Sequence, residues 1–248
     1  MNGRYARQIA MPYVGEAGQK RLGEGTAAVV GCGALGSACA GYLARAGVGR
    51  IVLIDPDRVE LSNLQRQSLY SMSDLGGLKA EAAARALAAV NPEIELLPVA
   101  RRLDGGSAPE LLSGAGVVLD CTDNLASRYA INRFCVRHGI PWIYAGVAGG
   151  EGMTMNILPG GPCFRCLAPE PAPAVEETAA SRGILSTTAA LLAAVQGTEA
   201  MKILMHGPGH ESVRRTLLYI NLIDNCFEQR AVARLAGCEV CGGGQNGN

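Results

Sequence analysis

Aromatic side chains, histidine and excess charge are all scarce in this 248-residue chain. Phe, Trp and Tyr together make up 4% of it, three residues are histidine, and 22 basic side chains balance 22 acidic ones. A neutral chain lacks the basic excess by which many proteins bind nucleic acids or acidic membrane surfaces. We therefore expect neither a nucleic acid nor a membrane as a partner.

Long uninterrupted apolar segments and a secretion signal are also lacking. The most apolar stretch, residues 184–205, is interrupted by polar residues that include Gln196, Glu199 and Lys202. A membrane-spanning helix tolerates few such residues, so this stretch is predicted to pack in the core or at a subunit interface. The N-terminus shows no basic start followed by an apolar segment and a cleavage site. A cytoplasmic location is therefore expected.

Short apolar runs alternate with helical patterns in the first part of the chain. Helices are predicted over residues 77–90 and 124–138, and buried strands over 94–99, 117–119 and near 142–145. This alternation is typical of a Rossmann-like, doubly wound α/β fold, with a mainly parallel sheet and helices on both faces.

The chain is predicted to form one domain over residues 1–248, since this length can bury a sizeable core. Residues 1–158 are assigned to a nucleotide-binding part and residues 159–248 to the remainder. Within the second part, residues 168–177 are rich in proline and acidic side chains. Such a segment cannot lie inside a helix and is predicted to be a mobile loop.

A glycine-rich turn is the first sign of a binding site. An apolar run over residues 27–30 leads into a G-x-G-x-x-G pattern formed by Gly31, Gly33 and Gly36. The next apolar run ends in Asp55, 19 residues after the last of these glycines, which is about where a ribose-binding acid belongs. The pattern predicts a site for a dinucleotide or for ATP and does not distinguish between them.

Polar residues that follow this turn favour a polyphosphate. Residues 62–67 read Ser-Asn-Leu-Gln-Arg-Gln, and Lys79 lies shortly beyond them. An arginine can contact two phosphate oxygens at once, and a lysine offers a compact charge to the same anion. The alternative interpretation is that Arg66 and Lys79 are solvated charges on helix surfaces.

Four of the nine cysteines form two C-x-x-C pairs, Cys163 with Cys166 and Cys238 with Cys241. In a cytosolic protein, such pairs are better explained by a metal than by disulfides. Four thiolates suit tetrahedral zinc, and a zinc ion with four sulfur ligands is structural. The other cysteines are predicted to be small buried hydrophobic residues: Cys32, Cys39, Cys121, Cys135 and Cys226.

These motifs resemble the MoeB, ThiF and HesA proteins, which are bacterial relatives of the ubiquitin-activating enzymes. The resemblance covers nearly the whole chain and rests on five segments in order: residues 4–8, the glycine turn, residues 62–67, residues 120–124 and the two C-x-x-C pairs. It implies the same Rossmann-like fold, with a partly antiparallel C-terminal part that carries the zinc site and surfaces for a dimer and for a carrier protein.

The resemblance also implies an enzyme, a nucleotidyltransferase that uses ATP and Mg²⁺ and holds a structural Zn²⁺. Its substrate is expected to be the C-terminal Gly-Gly carboxylate of a small ubiquitin-like sulfur carrier protein, which it adenylates with release of pyrophosphate. Three alternatives stay open. One is a relative that adenylates a peptide or RNA-linked carboxylate, another is an NAD-dependent oxidoreductase, and the third is a non-catalytic zinc-stabilised module. The pathway, whether to thiamin, molybdopterin or another product, is also open.

Site residues follow from the resemblance, position by position. Asp55 is expected to hold the ribose, Lys79 to offset charge on the phosphates, and Asp123 to bind Mg²⁺, whereas Asp120 is expected mainly to shape its turn. Arg7 is expected to reach the phosphates of a neighbouring subunit, which implies a homodimer. The expected catalytic residues are Arg7, Arg66, Lys79 and Asp123. The expected nucleotide-binding residues are Gly31, Gly33, Ala34, Gly36, Asp55, Asp57, Ser62, Asn63, Arg66, Lys79, Asp123 and Asn124.

One position departs from the family pattern. Many relatives carry a cysteine where this chain has Ala179, and no cysteine occurs between Cys166 and Cys226. Catalysis is therefore expected to stop at the adenylate, with a separate sulfurtransferase completing the transfer. Ser181 lacks a nearby histidine pattern that would activate it as a substitute nucleophile.

Overall fold

Runs of apolar, often β-branched residues form the centre of a single sheet in the computed structural model, which describes residues 3–170 and 182–242. Eight strands are described: β1 (Thr26–Val30), β2 (Arg50–Ile54), β3 (Glu95–Val99), β4 (Val117–Asp120), β5 (Trp142–Ala148), β6 (Glu151–Ile157), β7 (Leu217–Asn221) and β8 (Cys226–Arg230).

The strand order in the sheet is β3-β2-β1-β4-β5-β6-β7-β8. The first five of these strands are parallel to their neighbours, and the pairs β5–β6, β6–β7 and β7–β8 are antiparallel. The strands β2 and β3 are added on one side of β1, and the strands from β4 onward are added on its other side. Open α/β sheets bind their ligands where the strand order reverses in this way, beyond the carboxyl ends of the strands. The predicted fold class is confirmed, including the partly antiparallel C-terminal part.

Helices connect the strands and lie close to their predicted positions. The described helices are α1 (Ala6–Ile9), α2 (Gly15–Glu24), α3 (Ala34–Ala46), α4 (Lys79–Val90), α5 (Ala108–Leu112), α6 (Leu125–His138), α7 (Phe164–Leu167) and α8 (Ser186–His206). The Asn124 side chain caps α6 by accepting a hydrogen bond from the Ser127 amide at 2.9 Å. Gly139, with φ +66°, ends that helix in the left-handed conformation that glycine adopts readily.

Two apolar clusters pack against the two faces of the sheet. One contains side chains from α2, α3, α4 and α8, among them Leu22, Leu43 and Leu192. The other contains side chains from α5, α6 and α7, among them Ile131 and Phe164. Helices therefore cover both faces, as the alternating pattern predicted.

The apolar stretch at residues 184–205 forms most of α8, which packs in the core as predicted. Its polar residues satisfy buried backbone groups, since the fully buried Gln196 donates to the carbonyl oxygens of Asp120 at 2.9 Å and Ile143 at 2.8 Å. Among the residues that the structure describes, none of the helices is both long and apolar enough to cross a bilayer.

The prediction of buried cysteines is right for four residues and wrong for one. Cys32, Cys39, Cys121 and Cys135 are buried, whereas Cys226 is only half-buried because it begins the edge strand β8. The predicted mobile loop falls mostly on residues 171–181, which lie outside the described residues, and so do Ala179 and Ser181.

Candidate active site

The glycine turn connects β1 to α3 at the carboxyl edge of the sheet. Gly31 has φ +90°, and a Cβ there would lie 2.6 Å from the Cys121 carbonyl oxygen. A Cβ on Gly36 would lie 1.8 Å from the Gly31 carbonyl oxygen. Both glycines therefore let the backbone segments approach each other closely.

Gly33 is a glycine for a different reason. The nearest atom that a Cβ at Gly33 would meet is Nε2 of Gln67, at 3.8 Å, so the protein itself leaves this space open. A ligand can therefore approach the backbone closely at this position, directly before the first turn of α3. The N-terminus of a helix attracts anions, because its first amide groups point outward and the helix dipole is positive there.

Ala34 begins α3 and has an ordinary right-handed helical conformation. Among the described residues other than glycine, only Asn225 has a positive φ. The condition under which alanine is tolerated at this position, a negative φ, is therefore met.

Asp55 links the end of β2 to the glycine turn. Its Oδ2 accepts a hydrogen bond from the Cys32 amide at 2.7 Å, and its Oδ1 accepts one from the Asp57 amide at 2.8 Å. Burial raises the pKa of Asp55, and this outweighs the lowering by those two hydrogen bonds and by the charge of Lys79. Each carboxylate oxygen has a further lone pair for a ligand hydroxyl.

Lys79 forms an ion pair with Asp57 next to this carboxylate. Its Nζ lies 3.2 Å from Asp57 Oδ2, and the Lys79 side chain is 10% exposed while that of Asp57 is 60% exposed. The Lys79 amide also donates to the Asp57 carbonyl oxygen at 2.9 Å, so α4 begins against the loop that follows β2. The ammonium group is thus held almost completely inside the protein by a carboxylate that remains in contact with solvent.

The polar run at residues 62–67 is held by a short 3-10 turn. Asn63 Oδ1 accepts a hydrogen bond from the Glu60 amide at 3.1 Å, and Arg66 donates to the Ser62 carbonyl oxygen at 2.9 Å. The Ser62 hydroxyl donates to a carboxylate oxygen of Glu60 at 3.3 Å and is exposed. Asn63 and Arg66 face the cavity described below, whereas Ser62 supports them through its backbone.

Two aspartates follow each other closely at the end of β4 and lie in different environments. Asp120 is fully buried, accepts hydrogen bonds from the amide of Thr122 at 3.0 Å and from its hydroxyl at 2.7 Å, and lies 3.3 Å from Nε of Arg128. Asp123 is exposed and lines the cavity. Asp123 is therefore accessible to a ligand, whereas Asp120 stabilises the turn.

A cavity of about 650 Å³ lies where these groups meet. Among the sequence-predicted residues it is lined by Gly31, Gly33, Ala34, Asp55, Asp57, Asn63, Arg66, Lys79, Asp123 and Asn124. Gly36 and Ser62 do not line the cavity. Gly36 lets two backbone segments approach each other, and the Ser62 carbonyl oxygen accepts a hydrogen bond from Arg66. Arg7 does not line it either.

Arg7 lies on the far side of the molecule from its own cavity. The phenol of Tyr5 packs against Gly47 at the C-terminal end of α3 and accepts a hydrogen bond from Asn91 at 2.8 Å. The cavity lies at the N-terminal end of the same helix, about 20 Å away for 13 residues. Arg7 lies in α1 and is exposed. At this distance its side chain cannot contact a ligand in the cavity of its own chain.

Several residues in the cavity wall were not predicted from the sequence. Arg101 and Arg102 follow β3, and their position after a strand at the carboxyl edge of the sheet is a signal that could have identified them. Arg182 and Glu151 also line the cavity. No sequence pattern marks these two, because they are brought together only by tertiary packing.

The four paired cysteines form one cluster. The Sγ atoms of Cys163 and Cys166 are 4.0 Å apart, those of Cys163 and Cys238 are 3.7 Å apart, and those of Cys166 and Cys241 are 3.5 Å apart. Sulfur atoms around a tetrahedral zinc ion, with zinc–sulfur bonds of about 2.3 Å, lie about 3.8 Å apart. The cluster, whose sulfur atoms all lie within 4.8 Å of one another, therefore fits zinc.

Residues 5–240 match the model of the ThiF family, and the chain belongs to this family. It is 39% identical over 242 residues to the SAMP-activating enzyme E1 of Haloferax volcanii, covering 97% of this chain and 89% of that protein. It is 37% identical over 245 residues to the sulfur carrier protein ThiS adenylyltransferase of Escherichia coli, covering 97% and 95%.

A longer relative and a solved structure complete the comparison. The chain is 41% identical over 241 residues to mouse adenylyltransferase and sulfurtransferase MOCS3, covering 96% of this chain and about half, 52%, of that protein. A crystal structure of E. coli MccB with ATP superimposes with a TM-score of 0.84 at 24% identity, covering 98% of this chain and 74% of the other. The similarity to MccB shows the fold alone.

Proposed function

We propose that this protein adenylates the C-terminal Gly-Gly carboxylate of a small ubiquitin-like sulfur carrier protein, using ATP and releasing pyrophosphate. The observation that carries the proposal is the cavity, which places a glycine turn and Asp55 beside the cations Arg66 and Lys79. The names of the relatives in E. coli and H. volcanii point to the same class of reaction. The enzyme is then a nucleotidyltransferase.

The reaction proceeds by attack of a carboxylate oxygen on the α-phosphorus of ATP. A new bond forms between that oxygen and phosphorus, the bond from the α-phosphorus to the bridging oxygen breaks, and pyrophosphate leaves with the electron pair. This step depends mostly on positioning and charge neutralisation. The cavity provides for both, because its wall carries several arginines and one lysine.

Each group in the cavity has a proposed task. Asp55 accepts hydrogen bonds from the ribose hydroxyls, while the backbone at Gly33 and the start of α3 face the phosphates. Arg66 and Asn63 hold the phosphates. Lys79 moves from Asp57 to the phosphates when ATP binds, because a polyphosphate carries more negative charge than one exposed carboxylate.

Asp123 is the proposed ligand of Mg²⁺, with Asn124 beside it. The residues fit this ion, since an exposed carboxylate oxygen in the cavity wall is the type of ligand that Mg²⁺ prefers. When bound, the ion neutralises charge on the phosphates. The four cysteines are proposed to hold a structural zinc ion.

The remaining proposals concern partners. Since no cysteine occurs between Cys166 and Cys226, catalysis stops at the adenylate and a separate sulfurtransferase supplies the sulfur. Arg7 completes the site of a second copy of this chain, which makes the active form a homodimer. We place the reaction in the cytoplasm, where thiols remain reduced and can hold zinc.

The test is ATP–pyrophosphate exchange with a panel of small carrier proteins that end in Gly-Gly. Wild-type protein is expected to exchange label with at least one carrier, and Lys79→Ala is expected to lower the rate by about 100-fold or more. Arg50→Ala is a matched control, because Arg50 forms an exposed ion pair with Glu95 at the opposite edge of the sheet. Absence of exchange with every carrier would refute the proposal.

The same assay addresses the alternatives. A peptide or an RNA-linked carboxylate that supports exchange, when no carrier protein does, would identify the other kind of adenylating relative. ATP binding without exchange would indicate a non-catalytic module. An NAD-dependent oxidoreductase would bind NAD and release no pyrophosphate.

A further inference from the structure

The cavity extends beyond the residues that are proposed to bind the nucleotide. Beyond the glycine turn it extends over the antiparallel part of the sheet, where Gly146, Met153 and Tyr219 form a row across β5, β6 and β7. Arg182 and Glu151, which form an ion pair, are among the residues that line this end. An acyl substrate that enters the cavity over this part of the sheet comes close to this ion pair.

The backbone of the segment that leads into α8 is fixed beside this end of the cavity. The Gly149 amide donates to the Gly183 carbonyl oxygen at 2.8 Å, and the Leu185 amide donates to the Gly149 carbonyl oxygen at 2.9 Å. These two hydrogen bonds join residues 183–185 to the turn between β5 and β6. Arg182, which directly precedes the bonded residues, is therefore positioned at the mouth of the cavity.

Arg182 and Glu151 form an ion pair in which both side chains are partly exposed. Nη1 of Arg182 lies 3.5 Å from Oε2 of Glu151, and their side chains are 38% and 36% exposed. A guanidinium group carries several donors in a planar fork and can bind more than one carboxylate. Without Arg182, the Glu151 carboxylate would repel an anion that enters here.

We propose that Arg182, held by Glu151, binds the terminal carboxylate of the acyl substrate before adenylation and acts as a positioning residue. This inference rests on the proposed function. The carboxylate loses its negative charge when it forms the anhydride with AMP, so the attraction to Arg182 is stronger in the substrate complex than in the product. The contact therefore lowers the KM for the carrier without raising kcat.

Substitutions at this pair test the proposal in the exchange assay. Arg182→Ala is expected to raise the KM for the carrier by about tenfold and to change the KM for ATP by less than about twofold, since a charge-assisted contact is lost only with the carrier. Arg182→Lys keeps the charge and retains part of the effect. In the double variant Arg182→Ala with Glu151→Gln, part of the affinity returns because the repelling charge is gone.

A carrier whose C-terminus is amidated isolates the carboxylate itself. Wild-type protein should bind the acid about tenfold more tightly than the amide, measured as the KM of the acid and the inhibition constant of the amide. Arg182→Ala should remove most of this preference, whereas Arg50→Ala should keep it. Thermal unfolding checks that Arg182→Ala is folded, as expected for a side chain that is more than one-third exposed.

The outcomes separate the two proposals. If wild-type protein exchanges label with a carrier and Arg182→Ala keeps both the wild-type KM and the preference for the acid, the role of Arg182 is wrong and the proposed function stands. If wild-type protein exchanges label with none, the proposed function fails, and the role of Arg182 fails with it.

Discussion

At the scale of single residues, burial decides what a given chemical group does in this protein. Asp120 and Asp123 lie three positions apart in one short segment, yet only Asp123 is open to the cavity. Asp120 is fully buried, and its Oδ2 lies 3.3 Å from Nε of Arg128. Asp123 can therefore contact a ligand, whereas Asp120 stabilises the fold.

This difference predicts opposite effects of two similar substitutions. Asp123→Ala should lower pyrophosphate exchange by about 100-fold while the melting temperature stays unchanged, because the proposed Mg²⁺ ligand is lost and this side chain is exposed. Asp120→Ala should lower the free energy of unfolding by about 3–5 kcal/mol, because it removes the buried carboxylate that pairs with Arg128. Exchange kinetics and denaturant unfolding of both variants provide the measurement. A normal exchange rate in Asp123→Ala would contradict the assignment.

A second prediction at this scale concerns pH. Because burial raises the pKa of Asp55 above its usual range, this carboxyl group loses its proton at a higher pH than an exposed aspartate does. Only the ionised form accepts two hydroxyl hydrogens while it holds its two backbone amides, so nucleoside binding should strengthen as pH rises through this pKa. Adenosine is the suitable probe, since it has no phosphate that titrates. Its inhibition constant should fall with rising pH in the wild-type protein.

Asp55→Asn is the matched comparison for this pH effect. It removes the titrating group, so its adenosine affinity should be weaker and should not depend on pH over the same range. A wild-type protein with pH-independent adenosine binding would exclude Asp55 as the ribose-binding group.

The sequence predicted those site residues that belong to local patterns. Gly31 and Gly33 lie in the turn after β1, and Asp55 directly follows β2. At such places the spacing of residues along the chain determines where they lie in the fold. Arg182 and Glu151 could not be found in this way, because they are 31 positions apart in the sequence and meet only through the bridge between residues 149 and 184.

At the scale of elements, the cysteine cluster joins the short helix α7 to the C-terminal segment. Residues 231–242 contain no helix or strand, and most of them are exposed. Cys238 and Cys241 are buried beside Cys163, and Arg165 in α7 pairs with Glu239 at 2.5 Å. A bound metal is therefore expected to be the main constraint on this segment.

Substitution of a cluster cysteine should release the metal. Cys163→Ser and Cys238→Ser are expected to contain well under one zinc per chain and to unfold at lower temperature, because metal binding contributes directly to folding. Cys226→Ser is the matched control, since this half-buried cysteine lies outside the cluster. Elemental analysis of freshly purified protein gives the zinc content. A wild-type content below about half an equivalent would argue against a zinc site.

At the scale of the whole molecule, the cavity and Arg7 lie at opposite ends of α3. The expectation that Arg7 contacts phosphates is compatible with this distance only if a second chain supplies the residue. An interface that places α1 of one copy beside the cavity of the other would satisfy this requirement, and a two-fold symmetric dimer would then contain two shared sites.

Mixing two inactive variants tests this arrangement. Arg7→Ala and Lys79→Ala should each lose most exchange activity alone, whereas heterodimers should contain one intact site. With random exchange of subunits at equal amounts, half of the dimers are mixed, so activity should return to about one quarter of the wild-type value. No recovery at any ratio, under conditions where subunits exchange, would show that Arg7 does not act in trans.

The sequence alone determined the fold class, the nucleotide turn, the cysteine pairs and the family of this protein. It could do so because these features depend on hydrophobic periodicity and on residues that are close in the chain. The tertiary structure decided which of two neighbouring aspartates is accessible, where Arg7 lies, and that Arg182 meets Glu151 at the cavity. These properties depend on burial and on contacts between distant segments, and such contacts exist only once the sheet and its helices have packed.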